Sequence, residues 1–226
     1  MTERVGDPAA ARGGRPRRRI LRWVLLGLGV LVAALLVVVA IVVVPILTHD
    51  DQGTSTQEDT GEAWPTEVVA LGDDGRERTL AIAAEDGGPI DPAALTVGER
   101  IVVTGSGFDG GQGIYVAICV IPDDPATKPG PCIGGVPEQD DGVIDPGSVQ
   151  WAPSNWINDD WAWKLFGARS YDDPATGEFT AYLVVGDGAV DGIDCRSGQC
   201  GIVTRNDHTA AADRVQDVRI PIKLAD

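Results

Sequence analysis

The stretch RIVVTGSGFDGGQGIYVAICVI, residues 100–121, decides the fold class of this chain. Two runs rich in Val, Ile and Tyr flank a glycine-rich centre, as expected for two β-strands joined by a turn. The centre contains a G-x-G-x-x-G pattern at Gly105, Gly107 and Gly110, which in nucleotide-binding proteins precedes a helix. Here another strand-like run follows, so no helix N-terminus is expected to hold a pyrophosphate. The pattern therefore predicts a turn between two antiparallel strands and no nucleotide site.

Similar short runs, separated by Gly, Pro and Asp, recur along the chain after about residue 64. A helical period of useful length is not visible in this part of the sequence. Strands are predicted at 67–71, 79–84, 100–104, 113–121, 178–185, 201–205 and 217–224. Short strands without intervening helices predict an all-β fold, an immunoglobulin-like β-sandwich of about seven strands.

Residues 24–47 form an apolar run without a charged residue, which is long enough to cross a bilayer as a helix. The side before it is basic, with Arg12, Arg15, Arg17, Arg18, Arg19 and Arg22. The positive-inside rule then predicts a cytoplasmic stub at 1–22, a transmembrane anchor at 23–48 and an extracellular C-terminal part. A cleaved signal peptide is the alternative, but the run is longer than an h-region and ends without a small-residue cleavage site.

Residues 49–63 are polar and acidic and are predicted to be a flexible stalk, followed by one domain at 64–226. The first 22 residues hold seven Arg against Glu3 and Asp7 and contribute +5 to the net charge of −16, so the rest carries −21. So acidic a region repels nucleic acid and anionic lipid and can attract cations or basic partners. The charge also has a plainer explanation, because it keeps an exposed domain soluble.

The four cysteines, Cys119, Cys132, Cys195 and Cys200, all follow the predicted anchor. In an oxidising compartment an even number predicts two disulfides. Four cysteines allow three pairings, and proximity in the chain favours Cys119–Cys132 and Cys195–Cys200.

A segment at about 133–177 interrupts the strand pattern and holds Trp151, Trp156, Trp161 and Trp163, four of the six tryptophans. Exposed tryptophans favour interfaces and stacking on sugars or other rings. Packed tryptophans would instead cover an open edge of the sandwich. The sequence leaves both alternatives open, and we take the four as candidate partner-binding residues.

Asp207 and His208 complete the candidate binding set, in the predicted loop between the last two strands. Together with Asp213 and Asp217 they could hold a divalent cation. The favoured alternative is turn chemistry, with the carboxylates neutralised by Arg205, Arg214 and Arg219. No metal and no cofactor are predicted.

Residues 101–108 and 113–119 with Cys132, and residues 190–195 with 200–203, resemble the neocarzinostatin-like domains. These are immunoglobulin-like sandwiches of secreted proteins from high-G+C bacteria, and some of them carry enediyne antibiotics. The resemblance implies such a sandwich, with disulfides that join sequential cysteines. The chain departs from the carriers at Ile121, where they have an aromatic residue beside the ligand cleft. Its C-terminal pattern T-R-N-D-H-T…D-R-x-Q-D is similar to a broader group of envelope proteins, which implies no chemistry.

Signatures of catalysis are scarce: the part after the anchor has His49 and His208 as its histidines and no G-x-S-x-G or H-E-x-x-H motif. We therefore predict a non-catalytic binding or interaction module at the cell surface, whose partner is an envelope protein or a glycan. One alternative is a carrier of a small apolar ligand in a sandwich cleft, and a second is a carboxylate-based hydrolase.

Overall fold

A computed structural model describes residues 16–134, 149–190, 193–197 and 199–225. The chain divides into two units, Met1–Thr48 and His49–Asp226. In the first unit, helix α1 covers Pro16–Thr48. Within its segment Ile20–Thr48 an 18-residue window has a mean hydropathy of 3.4, so this helix is long and apolar enough to cross a membrane.

The second unit consists mainly of β-strands. In chain order the elements are β1 (Ser55–Gln57), β2 (Glu67–Gly72), β3 (Glu77–Ala84), β4 (Arg100–Ser106), β5 (Ile114–Val120), β6 (Ser154–Ile157), helix α2 (Trp161–Lys164), β7 (Phe179–Val184), β8 (Ala189–Val190), β9 (Ile193–Asp194), β10 (Cys200–Asn206), a 3₁₀ helix (His208–Ala210) and β11 (Val218–Ile222). One antiparallel sheet has the order β1-β2-β3-β4-β7 and the other β11-β10-β5-β6, while β8 pairs with β9.

Alternation of side chains along the strands builds the core between the two sheets. In β4, Ile101 and Val103 are fully buried, and so are Ile114 and Ile118 of β5. These residues belong to one continuous hydrophobic cluster. Because successive side chains of a strand point to opposite faces, the residues between them lie on the outer faces of the sandwich. Tyr115 is on the outer face of β5, which becomes important for the candidate site.

The predicted β-sandwich is confirmed, and all seven predicted strands are present, as β2, β3, β4, β5, β7, β10 and β11. Two further strands join the sheets. Strand β1 lies inside the predicted flexible stalk and pairs with β2, so residues 55–57 of that segment are part of the sheet. Strand β6 lies inside the tryptophan-rich segment and pairs with β5; residues 135–148 of that segment are outside the described residues.

The glycine-rich centre of 100–121 has a different role from the predicted one. Strand β4 belongs to the five-stranded sheet and β5 to the four-stranded sheet, so these glycines connect the two sheets and do not close a hairpin. Gly107 has φ +79°, and a Cβ there would lie 1.9 Å from the Glu77 carbonyl oxygen. Only glycine allows the chain to cross at this point.

The two local disulfides, Cys119–Cys132 and Cys195–Cys200, are confirmed. The edges of the two sheets are also tied together beside the candidate site. Asn155 in β6 donates from Nδ2 to the Tyr182 carbonyl at 3.0 Å, and its Oδ1 accepts from the Tyr182 N–H at 3.1 Å. Strand β6 is therefore held against β7 of the other sheet, which fixes the position of the residues that follow it.

Candidate functional site

The side chain of Asp207 is 1% exposed and forms the base of the candidate site. Its Oδ2 accepts hydrogen bonds from Trp156 Nε1 at 2.9 Å and from Asn158 Nδ2 at 2.8 Å. Its Oδ1 accepts from the Thr209 N–H at 2.9 Å, the Thr209 hydroxyl at 2.5 Å and Gln112 Nε2 at 3.4 Å. The ionised carboxylate suits this environment, because it only accepts hydrogen bonds and every neighbour donates one.

Three local features of the sequence place the carboxylate there. Asp207 is the N-cap of the 3₁₀ helix, so its side chain turns back toward Thr209. Its own N–H donates to the Gly113 carbonyl at 2.9 Å. A Cβ on Gly113 would lie 2.0 Å from Asp207 Oδ2, so a side chain at that position would displace the carboxylate. Glycine at the start of β5 is therefore a condition for the site.

Five rings from three parts of the chain contact one another beside the carboxylate, and we refer to Tyr115, Trp156, Trp163, Phe166 and His208 as the aromatic cluster. The His208 ring centroid lies 4.7 Å from that of Trp163 and 5.3 Å from that of Trp156, both edge-on. Trp156 also contacts Tyr115 at 5.9 Å and Trp163 at 5.7 Å, and Trp163 contacts Phe166 at 6.3 Å. Tilted and edge-on pairs at these distances are mutually stabilising.

Tyr115 connects the cluster to the sheet. Its hydroxyl lies 3.0 Å from His208 Nδ1, and the Arg205 guanidinium lies 5.7 Å from its ring centroid. Burial and the negative charge of Asp207 raise the pKa of Tyr115 to about 12, against the opposing effect of Arg205. The phenol thus keeps its proton at neutral pH, and its contact with Nδ1 fixes the position of the His208 ring within the cluster.

Helix α2 carries the exposed part of the site. Asp160 caps the helix by accepting from the Ala162 N–H at 2.9 Å, and Lys164 forms an ion pair with Asp159 at 2.7 Å. On this short helix and just after it, Trp161 is 72% exposed and Phe166 63% exposed. Trp163, between them in the chain, turns inward to the cluster. Phe166 therefore packs on Trp163 and also projects into solvent, as Trp161 does from the short helix.

The structure brings together most of the predicted binding residues. Trp156, Trp163, Asp207 and His208 are in direct contact, and Trp161 lies on the same short helix as Trp163. Trp151 is elsewhere: it packs edge-on against Tyr182 at 5.3 Å and under the Arg100 guanidinium at 5.2 Å. It covers the outer face of β4 and β7 and is not part of the aromatic cluster.

Sequence reasoning missed Tyr115, Gln112 and Phe166 as members of the site. A signal existed for Tyr115, since alternation along β5 places it on the outer face of the sheet. Asn158 was visible only as a neighbour of the tryptophans, and nothing in its sequence context announced a bond to Asp207.

The C-terminal pattern 204–217 forms a buried polar network next to the site. The Thr204 hydroxyl donates to the Gln216 carbonyl at 2.7 Å, and Gln216 Nε2 donates to Asn206 Oδ1 at 2.8 Å. Gln216 Oε1 accepts from the Asp109 N–H at 2.6 Å, which ties the inter-sheet connection to this network. Polar side chains buried this deeply need such partners.

The same network holds residues 49–57, which we name the entry segment because it opens the second unit. Asp213, 1% exposed, accepts from the Gln52 N–H at 3.2 Å and lies 2.9 Å from His49 Nε2. The Arg214 N–H donates to the Gly53 carbonyl at 3.0 Å, and the Ser55 hydroxyl donates to the Asp217 carbonyl. The entry segment is therefore packed on the domain through the D-R-x-Q-D residues.

These contacts separate the carboxylates that could have formed a cation site. Asp207 faces Trp156 and Asn158, Asp213 faces His49, and Asp217 pairs with Arg214 at 3.0 Å. Within the described residues, no group of three or more His, Cys, Asp or Glu side chains is placed to hold a metal ion.

Asp217 is the carboxylate most altered by its surroundings. Burial raises its pKa to about 7, although Arg214 and Arg205 act in the opposite direction, and Asp213 adds to the increase. Its Oδ1 has no hydrogen-bond partner among the described atoms. A buried oxygen without a donor is better satisfied when the carboxyl carries a proton.

Two open grooves lie away from the aromatic cluster. One, of about 290 Å³, is mainly apolar and is lined by Trp64, Ile121, Pro122, Asp123, Gln199, Cys200, Pro221 and Ile222. The other, of about 340 Å³, lies on the five-stranded sheet and includes Glu67, Asp172 and Glu178 among its lining residues. These three carboxylates are exposed to solvent.

Comparison with known proteins adds no relative: no protein-family model, no curated protein and no solved structure matches this chain.

Proposed function

We propose that residues 49–226 form a non-catalytic binding module displayed outside the cell membrane. Helix α1 serves as the single-pass anchor, with the N-terminus in the cytoplasm. The module is a neocarzinostatin-like variant of the immunoglobulin-like sandwich, and its partner is an envelope protein or a glycan. The support for display is the apolar helix with the arginines before it, together with two disulfides, which persist in oxidising compartments.

One observation carries the binding role: Trp161 and Phe166 are 72% and 63% exposed, and Phe166 packs on Trp163, whose neighbour Trp156 is bound to a buried carboxylate. Large exposed rings lower the solubility of a protein, so a surface that carries them is typical of an interaction site. Rings on a rigid support lose little conformational freedom when a partner covers them, which favours affinity. Interface hot spots are enriched in such anchors.

The experiment is site-directed photo-crosslinking in the cells that make the protein. A photoreactive phenylalanine replaces Phe166 in one full-length variant and Val97 in another. Val97 is the matched control, since it is 54% exposed and lies outside the aromatic cluster. We expect a discrete adduct from position 166 and none from position 97. Equal adducts from both positions, or none from either, would remove the aromatic cluster from the binding role.

A second candidate function is carriage of a small apolar molecule, favoured by the apolar groove beside Trp64. The groove is open, whereas ligand pockets normally enclose most of their ligand. Saturable quenching of Trp64 fluorescence by an apolar dye, lost in Trp64→Phe, would support this function. The carboxylate-based hydrolase is less favoured, because the three groove carboxylates are exposed to solvent, whereas catalytic groups normally act in a site that excludes water.

A further inference from the structure

The projecting rings lie at one end of the sandwich, and the charges at that end bear on what they bind. We name it the α2 end: β5 begins there, at Ile114, which pairs with Ile157 at the end of β6 and with Asn206 at the end of β10. The entry segment also meets the domain there, through Asp213.

Acidic side chains directly flank the rings. Asp159 and Asp160 precede Trp161, and the base on the same helix, Lys164, is engaged by Asp159. Asp160 uses one oxygen to cap the helix and forms no ion pair among the described residues. An incoming cation would therefore meet a carboxylate beside Trp161 without competing against a resident base.

Other basic side chains at the α2 end are also engaged. The pairs are Arg76 with Asp74 and Asp109, Arg78 with Asp74, and Arg214 with Asp217. The Arg169 guanidinium lies 4.8 Å from the Tyr182 ring centroid, and Arg205 lies 5.7 Å from the Tyr115 ring centroid and donates to the Pro129 carbonyl. Asp173 is exposed at this end and has no ion pair within the described part of the chain. The resident cations thus leave this surface with an excess of negative charge.

The negative charge at the α2 end also contributes to the raised pKa of a buried tyrosine, Tyr171. Tyr171 donates from its hydroxyl to the Gln112 carbonyl at 2.8 Å. Burial raises its pKa first, and the charges of Asp109, Asp207 and Asp159 raise it further, with Arg78 opposing them. Carboxylates from three separate segments therefore act together on one point of the α2 end.

We propose that the partner at Trp161 and Phe166 is a basic polypeptide segment, one that presents Lys or Arg beside an apolar side chain. This rests on the proposed function and narrows it. Opposite charge across an interface speeds encounter and selects the partner, while the rings supply the buried area. A neutral glycan has no charge that the carboxylates could attract, and an anionic glycan or lipid surface is repelled by them.

The test measures binding of labelled synthetic peptides to the full-length chain in nanodiscs of zwitterionic lipid, with empty nanodiscs as background. The probes are a Lys/Leu peptide, a Glu/Leu peptide, a Lys/Ser peptide and a peptidoglycan disaccharide. We expect binding of the Lys/Leu peptide alone, weakened by added salt. Trp161→Ala should weaken it about tenfold, as for an interface anchor. Asp160→Asn, which keeps the helix cap, should weaken it about threefold.

Two matched controls separate the surface from general attraction to an acidic protein. Val97→Ala removes an exposed apolar side chain outside the aromatic cluster, and Asp86→Asn removes an exposed carboxylate that, like Asp160, accepts a backbone N–H two residues on. Both should leave the affinity unchanged. An effect of Val97→Ala equal to that of Trp161→Ala, equal binding of the Lys/Ser or Glu/Leu peptide, or no peptide binding would overturn the proposal.

The outcomes distinguish this inference from the proposed function. If the disaccharide binds and Trp161→Ala abolishes that binding, the surface is a binding site but its partner is not a basic polypeptide. If no probe binds while position 166 still gives a discrete crosslink in cells, the inference fails and the binding module stands. If the crosslink is absent as well, both fail.

Discussion

Asp207→Asn should destabilise the domain strongly, although the two side chains have nearly the same shape. The carboxylate accepts five hydrogen bonds, two at Oδ2 and three at Oδ1. An asparagine has one accepting oxygen, and its NH₂ group can only donate. Whichever way the amide is turned, at least two donors lose their acceptor and face another donor.

The expected cost follows from the donors left unpaired. If the amide nitrogen replaces Oδ2, Trp156 Nε1 and Asn158 Nδ2 are affected, each at about 1–3 kcal/mol. The free energy of unfolding should therefore fall by about 2–6 kcal/mol. For a domain of this size, about 1 kcal/mol lowers Tm by about 2–4 °C, so we expect a decrease of at least about 4 °C.

The assay is thermal unfolding of the full-length protein in detergent micelles, followed by near-ultraviolet circular dichroism of the tryptophans. Asp160→Asn is the control, because it also removes one carboxylate charge but keeps a cap that Asn supplies as well as Asp. The reasoning is refuted if Asp207→Asn shifts Tm no more than Asp160→Asn does. A loss of the aromatic near-ultraviolet signal before the main transition would agree with it, since the cluster depends on this carboxylate.

Three further predictions follow from the surroundings of the site. Asp217→Asn should flatten the pH dependence of the free energy of unfolding. Because the pKa of this carboxyl is raised to about 7 in the folded state, its contribution to stability is complete below the unfolded pKa of 3.8 and is lost by up to about 1.4 kcal/mol per pH unit as the pH rises to 7. If the urea midpoints of the variant at pH 5 and pH 8 differ as much as those of the wild type, this prediction is wrong. His49→Ala should speed cleavage before Asp50 by an Asp-specific protease, because it removes the contact to Asp213 at 2.9 Å, whereas cleavage before Asp59, outside the entry segment, should not change; equal acceleration at both would indicate general unfolding. Replacing Cys119 and Cys132 by Ser should cost about 3 kcal/mol in the free energy of unfolding, as expected for a crosslink over 13 residues, and an unchanged urea midpoint would show that the bridge does not stabilise the domain.

The fold was predictable because each strand buries one face and because Gly, Pro and Asp mark the turns between the strands clearly. In residues 100–121, β-branched residues are concentrated on both sides of a cluster of glycines, and both strands formed where this pattern placed them. The pairing of those strands was not predictable in the same way. The glycines between them could close a hairpin or cross between sheets, and the choice depends on Glu77 and Gln216, which are distant in sequence. Local propensity carries no information on such contacts.

Strand β1 was missed for a related reason. Residues 49–63 are polar, and polarity predicts a solvated linker when nothing else is known. The segment is ordered by partners far along the chain: Asp213 binds the Gln52 N–H, and Gly53 accepts from Arg214. The D-R-x-Q-D pattern thus has a structural explanation in this chain, since it supplies the buried polar groups that hold the entry segment.

The sequence does not predict which tryptophans of the site are buried and which are exposed. Trp156 and Trp161 are five positions apart in the same segment, and the sequence makes them equally good candidates for a binding surface. Trp156 is 7% exposed with its Nε1 bound to Asp207, whereas Trp161 is 72% exposed. The difference arises because β6 continues to Ile157 and turns Trp156 toward a carboxylate fifty-one residues away, while α2 begins only after it. Truncating Trp156 would therefore test the fold, and truncating Trp161 tests the binding surface.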